Sequence, residues 1–530
     1  MSAPTATVRR APSHAEHEWR DDWATSFGDQ WIRDLSVMAL VVFCFGAVRP
    51  LSDPDLPMHL SVGEWIVRHH AVPFVEPFAW TRAGAPYYAY SWLPQTVYYV
   101  LFDIFGHLGL RVLQGLIVLA SGGSALFLAR AAGWRASQAV ILAGLNLVVA
   151  AMFVPLLRPQ SLLLVTVPVI WGAMHRVVRG ERVGITLVQL FLASAVAANA
   201  HLFFPLTLAP AVLVLIYPVV SKRAATLGIG AIVAGWFTSP YALYWLDVYR
   251  HNFAPNPLYR PPAAITELQP GFVTALHPVG ALLAVVAVML CVPWTLAAAP
   301  LTNAERRISA FYWSLGLILF GYATRLFLVW WLISIVTVGW TVNWLTRDTE
   351  DAPPRTSVKV IGLAACVLIL VTAISKTRSE WGMEGSTSHR TLPTVGAASS
   401  EPLAAWLDER ALPAHGSRMM TSFSNGSYLT WRLPEYSASI DSRGVFPDSV
   451  SAAEAVVLAS DRDVPLGPWR SADVAILPLR FRVAAVLDTA SDWQRLAAVA
   501  GWPNPVDSAG LWARRSWWKR YGRPDPSAAP

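Results

Sequence analysis

Charge is scarce in this sequence. Asp, Glu, Lys and Arg make up 14% of its 530 residues while 54% are hydrophobic, against roughly 25% charged residues in an ordinary soluble domain. That balance excludes a water-soluble globule for most of the chain. Cysteine is nearly absent, and the three present, Cys44, Cys291 and Cys366, sit inside apolar runs, which argues against a disulfide framework or a zinc site. There is no basic stripe or arm either. The net charge of +7 comes from Lys and Arg scattered between apolar segments, so nucleic acid is not an expected partner. No internal repeat marks a transporter built from two related halves. Residues 1–34 begin with mixed charge and no apolar core, and are expected to be a cytoplasmic tail rather than a signal peptide.

What the chain has instead is apolar runs. About 17 to 25 residues are needed to cross some 30 Å of hydrocarbon. Eleven runs approach that length, at about 35–51, 108–130, 137–155, 160–175, 184–198, 202–220, 225–243, 272–299, 308–323, 326–346 and 358–375. The stretch 92–106, WLPQTVYYVLFDIFG, is short and aromatic. Read as a juxtamembrane helix on the interface, it leaves Arg130 and Arg135, then Arg176, Arg179 and Arg182, then Lys222 and Arg223, then Arg306 and Arg307, then Arg347, Arg355 and Lys359 all on one side. The positive-inside rule makes that side the cytoplasm. The expected fold is therefore mostly α, a polytopic bundle of about eleven membrane helices. The N terminus is inside, with outer loops at 52–91 and 244–271. Residues 376–530 form an extracytoplasmic α/β domain with its own core. In that domain EPLAAWLDERAL and SVSAAEAVVLAS are expected as helices, and SRMMTSFS, SASIDSR, ADVAILPL and GLWARRS as strands.

The polar residues gather on the expected outer side. Asp53 and Asp55 lie in a Pro-stiffened turn just after the first run, with His59 and Glu64 following on a short helix. Carboxylates there are placed to act as a general base or to bind a cation, or Asp53 simply caps the helix. In PLLRPQSLLL, Arg158 and Gln160 interrupt two apolar runs. A guanidinium at that position clamps a phosphate through its planar fork, or snorkels to headgroups. His201 and Arg325 meet the same two alternatives. The loop 244–271 carries Arg250, His251, Arg260 and Glu267, and its length fits either a functional loop or a surface scaffold. Asn425-Gly426-Ser427 reads as a turn more readily than as a glycosylation acceptor. Asp441 and Arg443 are expected to be an ion pair within the domain.

The stretch SDPD after the first run, and YYAYSWLPQTVYYVLFDIFGHLGLRVLQGL with its Gly106-to-Arg111 spacing, resemble the GT-C superfamily of membrane glycosyltransferases over roughly residues 35–375. A narrower bacterial group is also similar through SDPDLPMHL and NGSYLTWRLPEYSASIDSR. The resemblance implies residence in the bacterial inner membrane and a polyprenyl-phosphate-linked sugar as donor. It implies membrane lipids as surroundings and an envelope glycan, lipid or protein as acceptor. Transfer would be inverting, with Asp53 or Asp55 as the base and Arg158, His201 and Arg325 on the donor phosphate. Where many relatives carry a second acidic loop residue, this chain reads LRPQS. No divalent cation is indicated, and the cofactor is left open. A lipid-linked substrate transporter and a non-catalytic assembly subunit remain as alternatives.

Overall fold

The structure is a computed structural model. It describes residues 31–48, 51, 53–153, 157–216, 221–252, 301–322, 326–345, 390, 397–410, 416–441, 467–500 and 508–522, with isolated positions at 289, 292–293, 296–297, 392 and 412. Among these, α1 (Trp31–Ala47) is followed by α2 (Leu56–His69), the long α3 (Trp92–Ala132), α4 (Ala136–Phe153), α5 (Leu163–Arg179) and α6 (Val183–Ala200). Then come the short α7 (Leu213–Ile216), α8 (Lys222–Trp236), α9 (Trp245–Asn252), α10 (Asn303–Tyr322) and α11 (Phe327–Leu345). Among the described residues, four helical stretches, Trp92–Ala132, Pro159–Arg179, Val183–Ala200 and Phe327–Trp344, are long and apolar enough to cross a membrane. Helical segments overlie nine of the eleven expected runs. The run 272–299 is described at five positions only, and 358–375 lies outside the described residues.

Two expected spans differ in form. The run 202–220 is a 3₁₀ helix over Phe204–Val212 leading into α7, because Pro205 and Pro210 have no N–H to donate to an α-helical ladder. The run 225–243 ends early, at Trp236, before a turn that contains Pro240. In α3 the path breaks at Gly106, whose φ of 58° and ψ of −144° suit a residue without a Cβ. Residues 92–105 thus form an arm set apart from the apolar remainder of the helix.

Among its described residues, the C-terminal region holds a five-stranded mixed sheet in the order β2-β1-β3-β5-β4. Its strands are β1 (Arg418–Met420), β2 (Ser437–Ala438), β3 (Val474–Pro478), β4 (Trp493–Val499) and β5 (Ala509–Arg514). Helices α12 (Ala397–Glu409), α13 (Phe423–Arg432), α14 (Arg482–Thr489) and α15 (Arg515–Tyr521) complete it. Both faces are covered. Along β3, Val474 and Ile476 join one core with Leu403, Leu407 and Leu429, while Ala475 and Leu477 join another with Val483 and Leu487, the two-residue period of a strand buried on both sides.

The strand expected over SRMMTSFS stops at Met420, because Ser422 opens α13. Asn425-Gly426-Ser427 is accordingly the first turn of a helix and not a loop. The Asn425 side chain accepts from the Ser422 N–H at 2.8 Å and donates to the Ile476 carbonyl at 3.1 Å, and a Cβ on Gly426 would fall 1.9 Å from the Ile440 carbonyl oxygen. In the described part of SASIDSR, Ser437 and Ala438 pair as strand. Asp441 is buried, while Arg443 and the expected helix SVSAAEAVVLAS lie outside the described residues.

Candidate functional site

The site is built on the turn between α1 and α2. Pro54 and Pro57 restrict the backbone on either side of Asp55, and the Asp53 carboxylate bends back to accept the Asp55 N–H at 2.7 Å. Asp55 stands at the start of α2 but makes no side-chain cap bond. The Asp55 side chain therefore does not cap the helix, which leaves it and Asp53 Oδ2 for other partners. Asp53 is 0% exposed, and a buried carboxylate needs a counter-charge.

That counter-charge is Arg158. Its Nε donates to Asp53 Oδ2 at 2.8 Å, and its Nη2 lies 3.4 Å from Asp55 Oδ2. Arg158 follows Leu157, a buried leucine held at φ 44°, a left-handed conformation that costs a leucine about 1–2 kcal/mol. Backbone strain next to a functional side chain is a recurring feature of working sites. Burial pushes the Asp53 carboxyl up from the ordinary 3.8 to about 7, with Arg158 pulling it down and Asp55 pushing it further up.

His59 sits one turn further along α2, where its Nδ1 meets Gln95 Nε2 at 3.1 Å. Burial, aided by the charge of Arg158, pushes this imidazole down to about 3, so it is neutral at physiological pH. The helices touch here because Gly63 of α2 lies directly against α3: a Cβ on it would fall 2.1 Å from the Gln95 carbonyl oxygen.

The remaining expected residues divide. Gln160 is half-buried in the 3₁₀ turn Pro159–Leu162, beside Arg158. His201 ends α6, where its Nδ1 accepts the Phe203 N–H at 3.2 Å and its ring packs against Tyr90 and Phe203. Arg325, Arg260 and Glu267 lie outside the described residues. Glu64 is bound by two arginines, Arg68 at 2.7 Å and Arg390 at 2.5 and 2.9 Å. Among the described residues, no group of three or more His, Cys, Asp and Glu side chains is disposed to hold a metal ion.

Sequence reasoning missed three participants. Gln95 and Tyr98 were hidden in an aromatic stretch read as lying on the interface, although their three-residue spacing puts them on one helix face. Arg390 offered no local signal. It stacks over the Trp431 ring at 4.5 Å and donates to the Trp431 carbonyl, while Trp431 Nε1 donates back to the Arg390 carbonyl. The first loop also meets the C-terminal sheet directly: Ala79 bridges Ala438 in parallel, and Thr81 donates to the Ser439 carbonyl at 2.5 Å.

No family model and no curated protein matches the chain. Solved structures do. The crystal structure of ArnT from Cupriavidus metallidurans bound to undecaprenyl phosphate superposes with TM-score 0.54 and 13% identity, over 92% of this chain and 99% of that one. The Archaeoglobus fulgidus oligosaccharyltransferase in its apo form gives TM-score 0.52 and 11% identity over 85% of this chain and 70% of that one. The same enzyme tethered to an acceptor peptide with the NVT sequon gives TM-score 0.50 and 10% identity over 86% and 70%. Sequence identity this low speaks to fold alone. The chain shares its fold with ArnT and with the archaeal oligosaccharyltransferase.

Proposed function

We propose that this chain is a membrane glycosyltransferase that moves a sugar from a polyprenyl-phosphate donor to an acceptor hydroxyl on the outer face of the membrane. Asp53 takes the proton of that hydroxyl as the oxygen attacks the anomeric carbon. The bond from that carbon to the phosphate oxygen breaks, and its electron pair leaves with the polyprenyl phosphate. The configuration inverts. The similarity to ArnT, solved with undecaprenyl phosphate bound, supports the donor class.

The observation that carries the reading is the contact of Arg158 with Asp53. With the guanidinium on Asp53, the carboxyl is held down and is a weaker base. A donor phosphate competes for the same planar fork. As it draws Arg158 away, Asp53 loses its counter-charge, and a desolvated carboxylate is a stronger base. Donor arrival and base activation are then one event, and Arg158 is left facing the charge that develops on the leaving phosphate. The first loop and the C-terminal domain share the outer face, where the domain borders the acceptor side.

A second reading has its own support. Asp53 is fully buried and both its oxygens are engaged, as in a permanent ion pair of a non-catalytic assembly subunit. Asp53→Asn separates the two. In nanodiscs, the wild type is expected to release undecaprenyl phosphate from its glycosylated form when envelope extract is added. The variant is expected to bind the donor but turn over at least about 10²-fold more slowly. Equal turnover by the two proteins, or none by either, favours the assembly subunit.

A further inference from the structure

Three uncharged polar side chains meet one helical turn beyond Asp55, and the reaction described above leaves them without a task. His59 projects from α2, and Gln95 and Tyr98 from the arm of α3. The His59 and Tyr98 rings stand edge-on with centroids 6.3 Å apart, and Gln95 Nε2 bonds His59 Nδ1. Gln95 is 6% exposed and Tyr98 1%, yet Gln95 Oε1 and the Tyr98 hydroxyl have no hydrogen-bond partner among the described residues. Buried polar atoms are nearly always paired, so two in one cluster call for a ligand.

The chemistry of that ligand follows from the atoms. With Gln95 donating to Nδ1, the neutral imidazole carries its hydrogen on Nε2. The cluster then presents a ring N–H donor, an amide oxygen that only accepts, and a hydroxyl that does both. None of the three is charged. A carboxylate or phosphate drawn in here gives up its hydration to neutral groups, whereas a sugar hydroxyl donates and accepts at once. The cluster also neighbours the two groups that would meet the donor, since the charge of Arg158 acts on His59 and that of Asp53 on Tyr98.

We propose that His59, Gln95 and Tyr98 form the subsite for the ring hydroxyls of the donor's sugar, and that this sugar is uncharged. The proposal rests on the donor reading above, with the phosphate on Arg158 and the sugar it carries reaching His59. The full chain in nanodiscs of phosphatidylethanolamine and phosphatidylglycerol provides the test. Affinity is measured for bare undecaprenyl phosphate and for undecaprenyl phosphate carrying glucose, galactose, mannose or glucuronate. At least one neutral hexose is expected to tighten wild-type binding about tenfold, and glucuronate not at all. Tyr98→Phe and Gln95→Leu are each expected to reduce that preference about fivefold and leave bare-lipid affinity unchanged. Tyr98→Phe is also expected to leave the melting temperature where it was, since no bond among the described residues is lost. A sugar-blind wild type, equal losses for bare and glycosylated lipid, or a marked fall in melting temperature of Tyr98→Phe overturns the subsite. Failure of the wild type to bind even bare undecaprenyl phosphate overturns the donor reading itself, and the subsite with it.

Discussion

Arg390 grips both carboxylate oxygens of Glu64, at 2.5 and 2.9 Å, across 326 residues of sequence. Glu64 lies on α2, the helix whose first turn follows Asp53 and Asp55, so the segment leading into the C-terminal domain holds the site from behind. The Trp431 ring closes the same contact by packing against Tyr99 and Phe102 of α3.

The first prediction follows from that grip. The Glu64 side chain is 8% exposed and that of Arg390 23%, so Glu64→Gln strands the Arg390 guanidinium in a largely desolvated place, while Arg390→Gln leaves the buried Glu64 with the exposed Arg68 as its remaining partner. Glu64→Gln and Arg390→Gln are each expected to destabilise the protein by about 2 kcal/mol, somewhat less than a fully buried pair because water reaches Arg390. The double variant is expected to be less destabilised than the two single losses added together, because no stranded charge remains. Thermal melts of the four proteins check this. Strict additivity would mean that the pair carries no coupling.

The second prediction concerns pH. Asp53 has a carboxyl pKa of about 7, above the ordinary 3.8, so the folded chain binds that proton more tightly than the unfolded chain does. Its contribution to stability is full below the ordinary value and is lost as pH rises through about 7. Asp53→Asn is therefore expected to lose less stability than the wild type between about pH 6 and 8. Catalysis runs the other way, because the base is the ionised form: transfer at low donor concentration, which reports the donor-free chain with Arg158 on Asp53, is expected to rise through about pH 7. Arg158→Gln removes the charge that pulls Asp53 down and is expected to move the rise to higher pH. A rate that is flat across this window removes Asp53 as the base.

Much of this architecture was legible because polar residues stand out in apolar surroundings. Asp53, Asp55 and Arg158 could be found that way, and so could the helices around them. Their pairing could not, since Asp53 and Arg158 are 105 positions apart and no spacing rule joins a loop after one helix to a turn between two others. Gln95 and Tyr98 were concealed by a different effect. An aromatic arm reads as interfacial whatever it touches, and only the close crossing at Gly63 turns one face of it toward His59. In the C-terminal region β3 was visible as an apolar run. The edge strand β4, WQRLAAV, was not, because most of it is only half-buried and Arg495 interrupts its alternation.

The third prediction tests topology, which rests on the arginine and lysine clusters. In a chain with Cys44, Cys291 and Cys366 replaced by alanine, single cysteines are placed at Glu181, Arg307 and Ser386. An impermeant thiol reagent applied to intact cells is expected to label the last and spare the first two. Labelling at Glu181 from outside would make 92–106 a span of its own and reverse every loop after it.

The last prediction isolates the geometry of Arg158. Its fork reaches two carboxylates at once, Asp53 through Nε at 2.8 Å and Asp55 through Nη2 at 3.4 Å, and the same planar pair of donors suits two oxygens of a phosphate. Lysine keeps the charge but offers a single ammonium, so Arg158→Lys is expected to hold Asp53 less firmly and to weaken binding of bare undecaprenyl phosphate about tenfold. Headgroup snorkelling demands only a long cationic side chain, and there lysine serves as well as arginine. The two accounts therefore part on a conservative substitution. Affinity is measured in nanodiscs beside the pH dependence of the rate. A tenfold loss, with the rise in rate displaced to higher pH, places the phosphate and the base under one guanidinium. Unchanged affinity and an unchanged pH profile would leave Arg158 as a structural partner of Asp53, and the assembly-subunit reading would then stand in place of the transferase.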